Sequence, residues 1–222
     1  MTGLPDLTTL VAYAIVLGVA FSVHEFAHAW TANFFGDDTP RLNGRLTLNP
    51  LAHLDPIGTI MLFIAGFGWA KPVPVSLYAL ERRSPAAPMW VALAGPISNF
   101  LMALVAAIPF RLGLIRVMLI GGRISYYSNY MSNFLAQILL IFLATNLLLM
   151  IFNLLPIFPL DGEKVASYAF PPYMARVLDV IRPYGPMILL VLILMGSFAS
   201  FNILGALMDP PEMALLKVLL GV

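Results

Sequence analysis

His24-Glu25-Phe26-Ala27-His28 combines residue types and a spacing that could do chemistry together. On a helix, residues four apart share a face, so both imidazoles can reach one metal ion while Glu25 stands beside it. Zinc suits two imidazoles, one further ligand and an open position, with the adjacent glutamate as general base of a hydrolysis. Chance alone would produce the pattern in about one chain of this size in a hundred. Its setting argues for function. The group lies inside an apolar run from Leu7 to about Phe35, and ionisable side chains in lipid are costly enough to mark a working site.

A third protein ligand is required. The chain has no cysteine and only three histidines, His24, His28 and His53, so the third ligand is His53 or a carboxylate. Asp161 stands out among the carboxylates. It follows an apolar segment in Asn153-Leu-Leu-Pro156-Ile-Phe-Pro159-Leu-Asp161-Gly162, where two prolines break a helix and let the chain turn a carboxylate inward. Asp-Gly by itself is an ordinary turn at a helix end.

The elements that must carry these residues are membrane helices. The chain is 60% hydrophobic and 10% charged, with a mean hydropathy of +0.90. Soluble proteins average roughly a quarter charged residues, so a soluble enzyme and a disordered chain are both excluded. A net charge of +1 offers no footprint for nucleic acid. Four apolar stretches, at 7–35, 86–110, 134–155 and 186–208, reach the roughly 20 residues needed to cross about 30 Å of hydrocarbon. Residues 57–70 are too short for that and contain Gly58, Gly66 and Gly68, which suggests a re-entrant or β-hairpin-like segment within 36–85. The tail after Pro210-Pro211 reads as a short amphipathic turn on the surface. The expected fold is an all-α membrane protein, a polytopic helical bundle with about four full spans. It forms a single membrane domain over 1–222, with a motif-bearing core at 7–165 and a C-terminal helix and tail at 184–222.

His24-Glu25-x-x-His28, then Gly95-Pro96-Ile97-Ser98-Asn99, then Asn153 through Leu160-Asp161-Gly162 resemble, in order, the motifs of the site-2 protease family of intramembrane zinc metalloproteases. Asn49-Pro50-Leu-Ala-His53-Leu-Asp55-Pro56-Ile-Gly58 and Trp69-Ala-Lys71-Pro72-Val-Pro74-Val are similar to its compact prokaryotic branch. The resemblance covers roughly residues 10–165. It implies His24, His28 and Asp161 as ligands of one zinc ion and Glu25 as catalytic base. It also implies that Asn99 and Asn153 lie near the site and position or stabilise substrate. Many members read Leu-Asp-Gly-Gly-Arg where this chain has Leu160-Asp161-Gly162-Glu163-Lys164. Many members also carry PDZ-like or nucleotide-sensing modules, and the resemblance here implies no regulation through them.

Topology can be tested without the family. For His24 and His28 to meet Asp161, the first and third long helices must end on the same side, so everything from Gly36 to Pro85 must stay on that side. Arg41, Arg45, Lys71, Arg82, Arg83, Lys164, Arg176 and Arg182 lie in those regions, against Arg111, Arg116, Arg123 and Lys217 in the opposite ones. The excess of basic residues turns the site toward the cytoplasm of the cell membrane.

The chemistry that follows is hydrolysis of a peptide bond in a membrane-spanning protein substrate within the lipid bilayer. A helical substrate hides its amides and must unwind, and Lys71-Pro72-Val73-Pro74-Val75, extended by its prolines, reads equally as an edge for it or as an ordinary loop leaving the short segment. Asn99 would donate to the oxyanion, or else serve as interhelical glue, the reading preferred for Asn146. His53 reads as a group near the metal cleft or as a loop histidine bonded to backbone. Two other classes compete. A divalent-metal transporter needs ligands along a path across the membrane, whereas the polar groups here cluster toward one side. A catalytically silent chaperone or scaffold has no need of the two histidines, the glutamate and the aspartate together.

Overall fold

The computed structural model describes residues 7–65, 68–120, 123–127, 133–198 and 202–222. Helix α1 (Leu7–Phe34) stops at Gly36, whose φ of 86° is open to glycine and strained for other residues. Four short helices follow: α2 (Thr39–Leu42), α3 (Pro50–His53), α4 (Pro56–Ala65) and α5 (Leu77–Arg83). Their starts are written in the sequence. Proline opens α3, the Asn49 side chain accepts from Leu51 N, and the Ser76 side chain accepts from Ala79 N at the head of α5. The long helix α6 (Ala87–Arg111) precedes an antiparallel hairpin of β1 (Arg116–Ile120) and β2 (Arg123–Tyr127). Then come α7 (Asn133–Asn153), α8 (Asp161–Ala169), α9 (Pro172–Ile181), a 3-10 turn (Arg182–Tyr184), α10 (Gly185–Phe198) and α11 (Ile203–Leu220).

This is an all-α polytopic bundle. Helical runs long and apolar enough to cross a membrane cover Val11–Phe34, Ala87–Arg111, Phe134–Asn153 and Pro172–Gly196. Two compact units divide the chain. One comprises residues 21–98 and 153–189, the other 1–20, 99–152 and 190–222. The first packs Leu80, Ala87 and Val91 around Ala32. The second has a larger core in which Ala103, Ala107 and Phe110 of α6 meet Leu143 and Leu147 of α7 and Leu216, Leu219 and Leu220 of α11.

The expected shortness of the segment near 36–85 is borne out, its hairpin alternative is not, and two further expectations change. The segment near 36–85 is built from short helices, with α4 bracketed by an isolated antiparallel bridge between Leu54 and Ala70. At ten residues α4 is about 15 Å long, half the hydrocarbon thickness, so it cannot cross. Residues 66–67, including Gly66, lie outside the described residues. The hairpin instead occupies 116–127, where Gly121-Gly122 separates two runs rich in β-branched and aromatic residues. Second, 186–208 is not one span. Helix α10 ends at Phe198, residues 199–201 lie outside the described residues, and Asn202 starts α11 by accepting from Gly205 N at 2.9 Å. The fourth run long and apolar enough to cross is Pro172–Gly196, in which α9 carries Arg176 and Asp179, Arg182 follows it, and α10 is the uncharged part. Third, the tail after Pro210-Pro211 is no surface turn. Both prolines sit inside α11 on its exposed side, as do Ala206 and Leu207, whose carbonyls lose their helical donors, while Leu216, Leu219 and Leu220 enter the core.

Candidate metal centre

His24 and His28 lie one turn apart on α1, both buried, and α8 begins with Asp161. Leu160 before it is extended, so the chain turns into the helix at the carboxylate. Asp161 Oδ2 stands 3.3 Å from His24 Nε2 and 3.2 Å from His28 Nε2, and the two nitrogens are 3.0 Å apart. The rings meet edge to face at 4.6 Å between centroids. No other group of three metal-ligating side chains forms among the described residues.

These distances fit a zinc ion. Nitrogen and oxygen ligands at about 2.0–2.1 Å in tetrahedral arrangement lie about 3.3 Å from one another. Asp161 Oδ2 is buried without a hydrogen bond although both nitrogens are near it. His28 Nδ1 donates to the Val91 carbonyl at 2.7 Å, which leaves the His28 Nε2 lone pair directed at Asp161 and His24. Lone pairs converging in this way are favourable only around a cation or proton. Space for one is kept by Gly95. A Cβ there would lie 2.6 Å from His24 Nε2 and closer still to His28 Nε2.

Burial pushes the Asp161 carboxyl up, but the facing His28 and His24 imidazoles outweigh it and hold the group well below the usual carboxylate range. Glu25 is buried on α1 between the two histidines in sequence. Asn153, half-buried, ends α7. Fully buried Asn99 donates through Nδ2 to Asn146 Oδ1 at 2.8 Å, and Asn146 Nδ2 donates to the Phe142 carbonyl. Asn146 therefore is interhelical glue, and Asn99 is its partner. His53 joins no metal group. Its Nε2 donates to the Thr47 carbonyl at 2.7 Å and its own carbonyl accepts from Lys71 N, the bonded loop histidine of the plainer reading. Of the two candidates, Asp161 is the one grouped with His24 and His28 so that the three could hold a metal ion.

Two contributors had no role in the sequence reading. The use of Val91 is a backbone carbonyl, for which no side chain signals. Gly95 was visible as part of a motif, but only the packing of α6 against α1 explains why it is glycine.

The model of Peptidase family M50 matches residues 12–196. YwhC of Bacillus subtilis, whose name describes a zinc metalloprotease, is 38% identical over 201 residues, 89% of this chain and 88% of its own length. Rip2 of Mycolicibacterium smegmatis and Rip2 of Mycobacterium tuberculosis, named in the same way, are each 31% identical over 79% of this chain. The matched part spans 64% of each Rip2 chain. No solved structure matches.

Proposed function

Because this chain belongs to Peptidase family M50, we propose that it is a zinc-dependent endopeptidase that hydrolyses peptide bonds in the transmembrane segments of membrane-protein substrates. The observation that carries the proposal is the convergence of His24, His28 and Asp161 on one point with Glu25 on the same helix. His24 and His28 Nε2 and Asp161 Oδ2 are the atoms that would hold the ion. Zinc, when bound, supplies Lewis acidity toward the scissile carbonyl and makes water a nucleophile near neutral pH.

The remaining work falls to the chain's own groups. Glu25 takes the proton of the attacking water and returns it to the leaving amine nitrogen. Val91 keeps His28 in the tautomer that leaves Nε2 unprotonated. Asn153 and Asn99 are assigned hydrogen bonds to substrate; Asn99 Nδ2 carries two N–H groups, one of which is held by Asn146.

An unwound substrate needs a partner for its amides. Residues 71–76 run between tethers at both ends. Arg45 donates to the Lys71 and Pro72 carbonyls at 3.3 Å each, and Asp37 Oδ2 accepts from Ser76 N at 2.6 Å. Pro72 and Pro74 have no N–H, so the N–H groups of Val73 and Val75 lie on one edge of the extended chain, where a strand of substrate would add. The basic residues around these loops favour a site facing the cytoplasm from the cell membrane.

Glu25→Gln in the purified protein tests the reading with a membrane-spanning substrate in detergent or liposomes. Zinc content is expected to stay at the parental level while cleavage is lost. Cleavage at the parental rate would remove Glu25 from the mechanism.

A further inference from the structure

Asp161 is placed by the first turn of α8, and that turn has no side-chain cap, since Leu160 precedes it. Two contacts hold it instead. Gly162 lies so close to the preceding loop that a Cβ would overlap the Leu154 and Leu155 carbonyl oxygens. Glu163 is 98% buried (2% exposed), and its Oε1 accepts from Arg182 Nε at 3.0 Å, from Arg182 Nη2 at 2.5 Å and from Ser167 Oγ at 3.2 Å. Its other oxygen, Oε2, is buried without a hydrogen-bond partner.

A carboxylate buried to that degree is costly unless a charge stands against it. Arg182 is that charge, and it reaches further. Its guanidinium lies over the Phe158 ring, 6.0 Å from the centroid, in the loop that leads into α8. One side chain therefore grips the chain three residues before Asp161 and two residues after it. Arg182 begins the 3-10 turn between α9 and α10, and Gly185 at the end of that turn packs against the Phe158 carbonyl with no room for a Cβ. The turn, the loop and the head of α8 are thereby joined around the carboxylate.

We propose that Arg182 and Glu163 are positioning residues for the metal ligand Asp161. They touch neither ion nor substrate. They fix the first turn of α8 so that Oδ2 stands 3.2–3.3 Å from the two imidazole nitrogens. Glu163 follows Asp161 by two residues, so the device is carried by the Asp161-Gly162-Glu163 sequence of this chain. The inference rests on Asp161 being a zinc ligand.

Zinc affinity of the full-length protein in detergent, measured by chelator competition, tests it directly and needs no substrate. Arg182→Ala is expected to weaken zinc binding by about 10–100-fold, the range found when groups behind a metal ligand are removed. Arg182→Lys, which keeps the charge but loses the two-pronged grip, should recover part of that loss. Arg176→Ala, on the exposed face of α9, should change nothing. The unfolding midpoint of the metal-free protein separates positioning from plain stabilisation. A structural role lowers that midpoint and leaves affinity alone; the proposed role lowers affinity in protein that remains folded. If Arg182→Ala fails to fold, Glu163→Gln, which keeps the volume and removes the charge, carries the same comparison. Parental zinc affinity in the folded Arg182 or Glu163 variant overturns the proposal. Asp161→Ala distinguishes this failure from a deeper one. Zinc lost in Asp161→Ala but kept in the other variants sinks only the positioning role, while zinc kept in Asp161→Ala sinks the ligand assignment beneath it.

Discussion

Gly95 is a residue whose importance lies in what it lacks. Its α-hydrogen faces the point where His24, His28 and Asp161 converge, and any Cβ would collide with both imidazoles. Gly95→Ala is therefore expected to abolish zinc binding while the helix around it gains propensity, since alanine is favoured over glycine by about 1 kcal/mol in a helix interior. In the metal-free protein that collision costs about 1–3 kcal/mol, more than the propensity returns, so the variant should unfold below the metal-free parent. Stoichiometric zinc in Gly95→Ala, measured by atomic absorption, would show that the three ligands close around the ion elsewhere. His28 makes the complementary point. Its Nδ1 is committed to the Val91 carbonyl, so the nitrogen that faces the site is chosen by α6 rather than by α1.

Between elements, the clearest polar link is Asn99 of α6 to Asn146 of α7, with Asn146 anchored in turn to the Phe142 carbonyl. A double-mutant cycle with alanine at both positions should give a coupling of about 0.6 kcal/mol and at most about 1.7, as for hydrogen bonds between membrane helices. The same variants divide the two roles of Asn99. A substrate contact predicts that Asn99→Ala depresses kcat well beyond Asn146→Ala, and equal losses would leave Asn99 as glue alone. What was legible in the sequence follows from the same physics. The histidine pair was readable because helical spacing fixes i and i+4 on one face, and Asp161 became readable only with the prolines that break α7 from α8. The hairpin at 116–127 was missed although Gly121-Gly122 marks it, because apolar runs of five residues are outweighed by long membrane helices when a chain is divided by hydropathy. The separate start of α11 at Asn202 was missed because α10 and the first turn of α11 are both apolar, and a window of 20 residues cannot see a cap between them. The prolines of α11 misled for a different reason. They end helices whose lost hydrogen bonds are buried, and in α11 the affected side is exposed.

At the scale of the molecule, the proposed orientation has a direct test, and the absence of cysteine makes it clean. A single cysteine at Ser84 is expected to be labelled by an impermeant maleimide only when the cytoplasmic face is open, and one at Leu112 only from the other face. Labelling of both from one side would overturn the topology, and with sides exchanged it would reverse the orientation. Membrane proteins commonly tolerate added residues in exposed connections, and the exposed turn at Leu112-Gly113 after α6 should accept them here. The turn of α6 from Val91 to Gly95 should not. Val91 supplies the carbonyl that His28 requires and Gly95 the gap that the ion requires. Each added or deleted residue rotates one against the other by about 100°. No compensating shift along the helix restores both, so the interval between these two positions is locked in phase. In a protein whose loops can drift in length, that single helical turn acts as the ruler from which the rest must be measured.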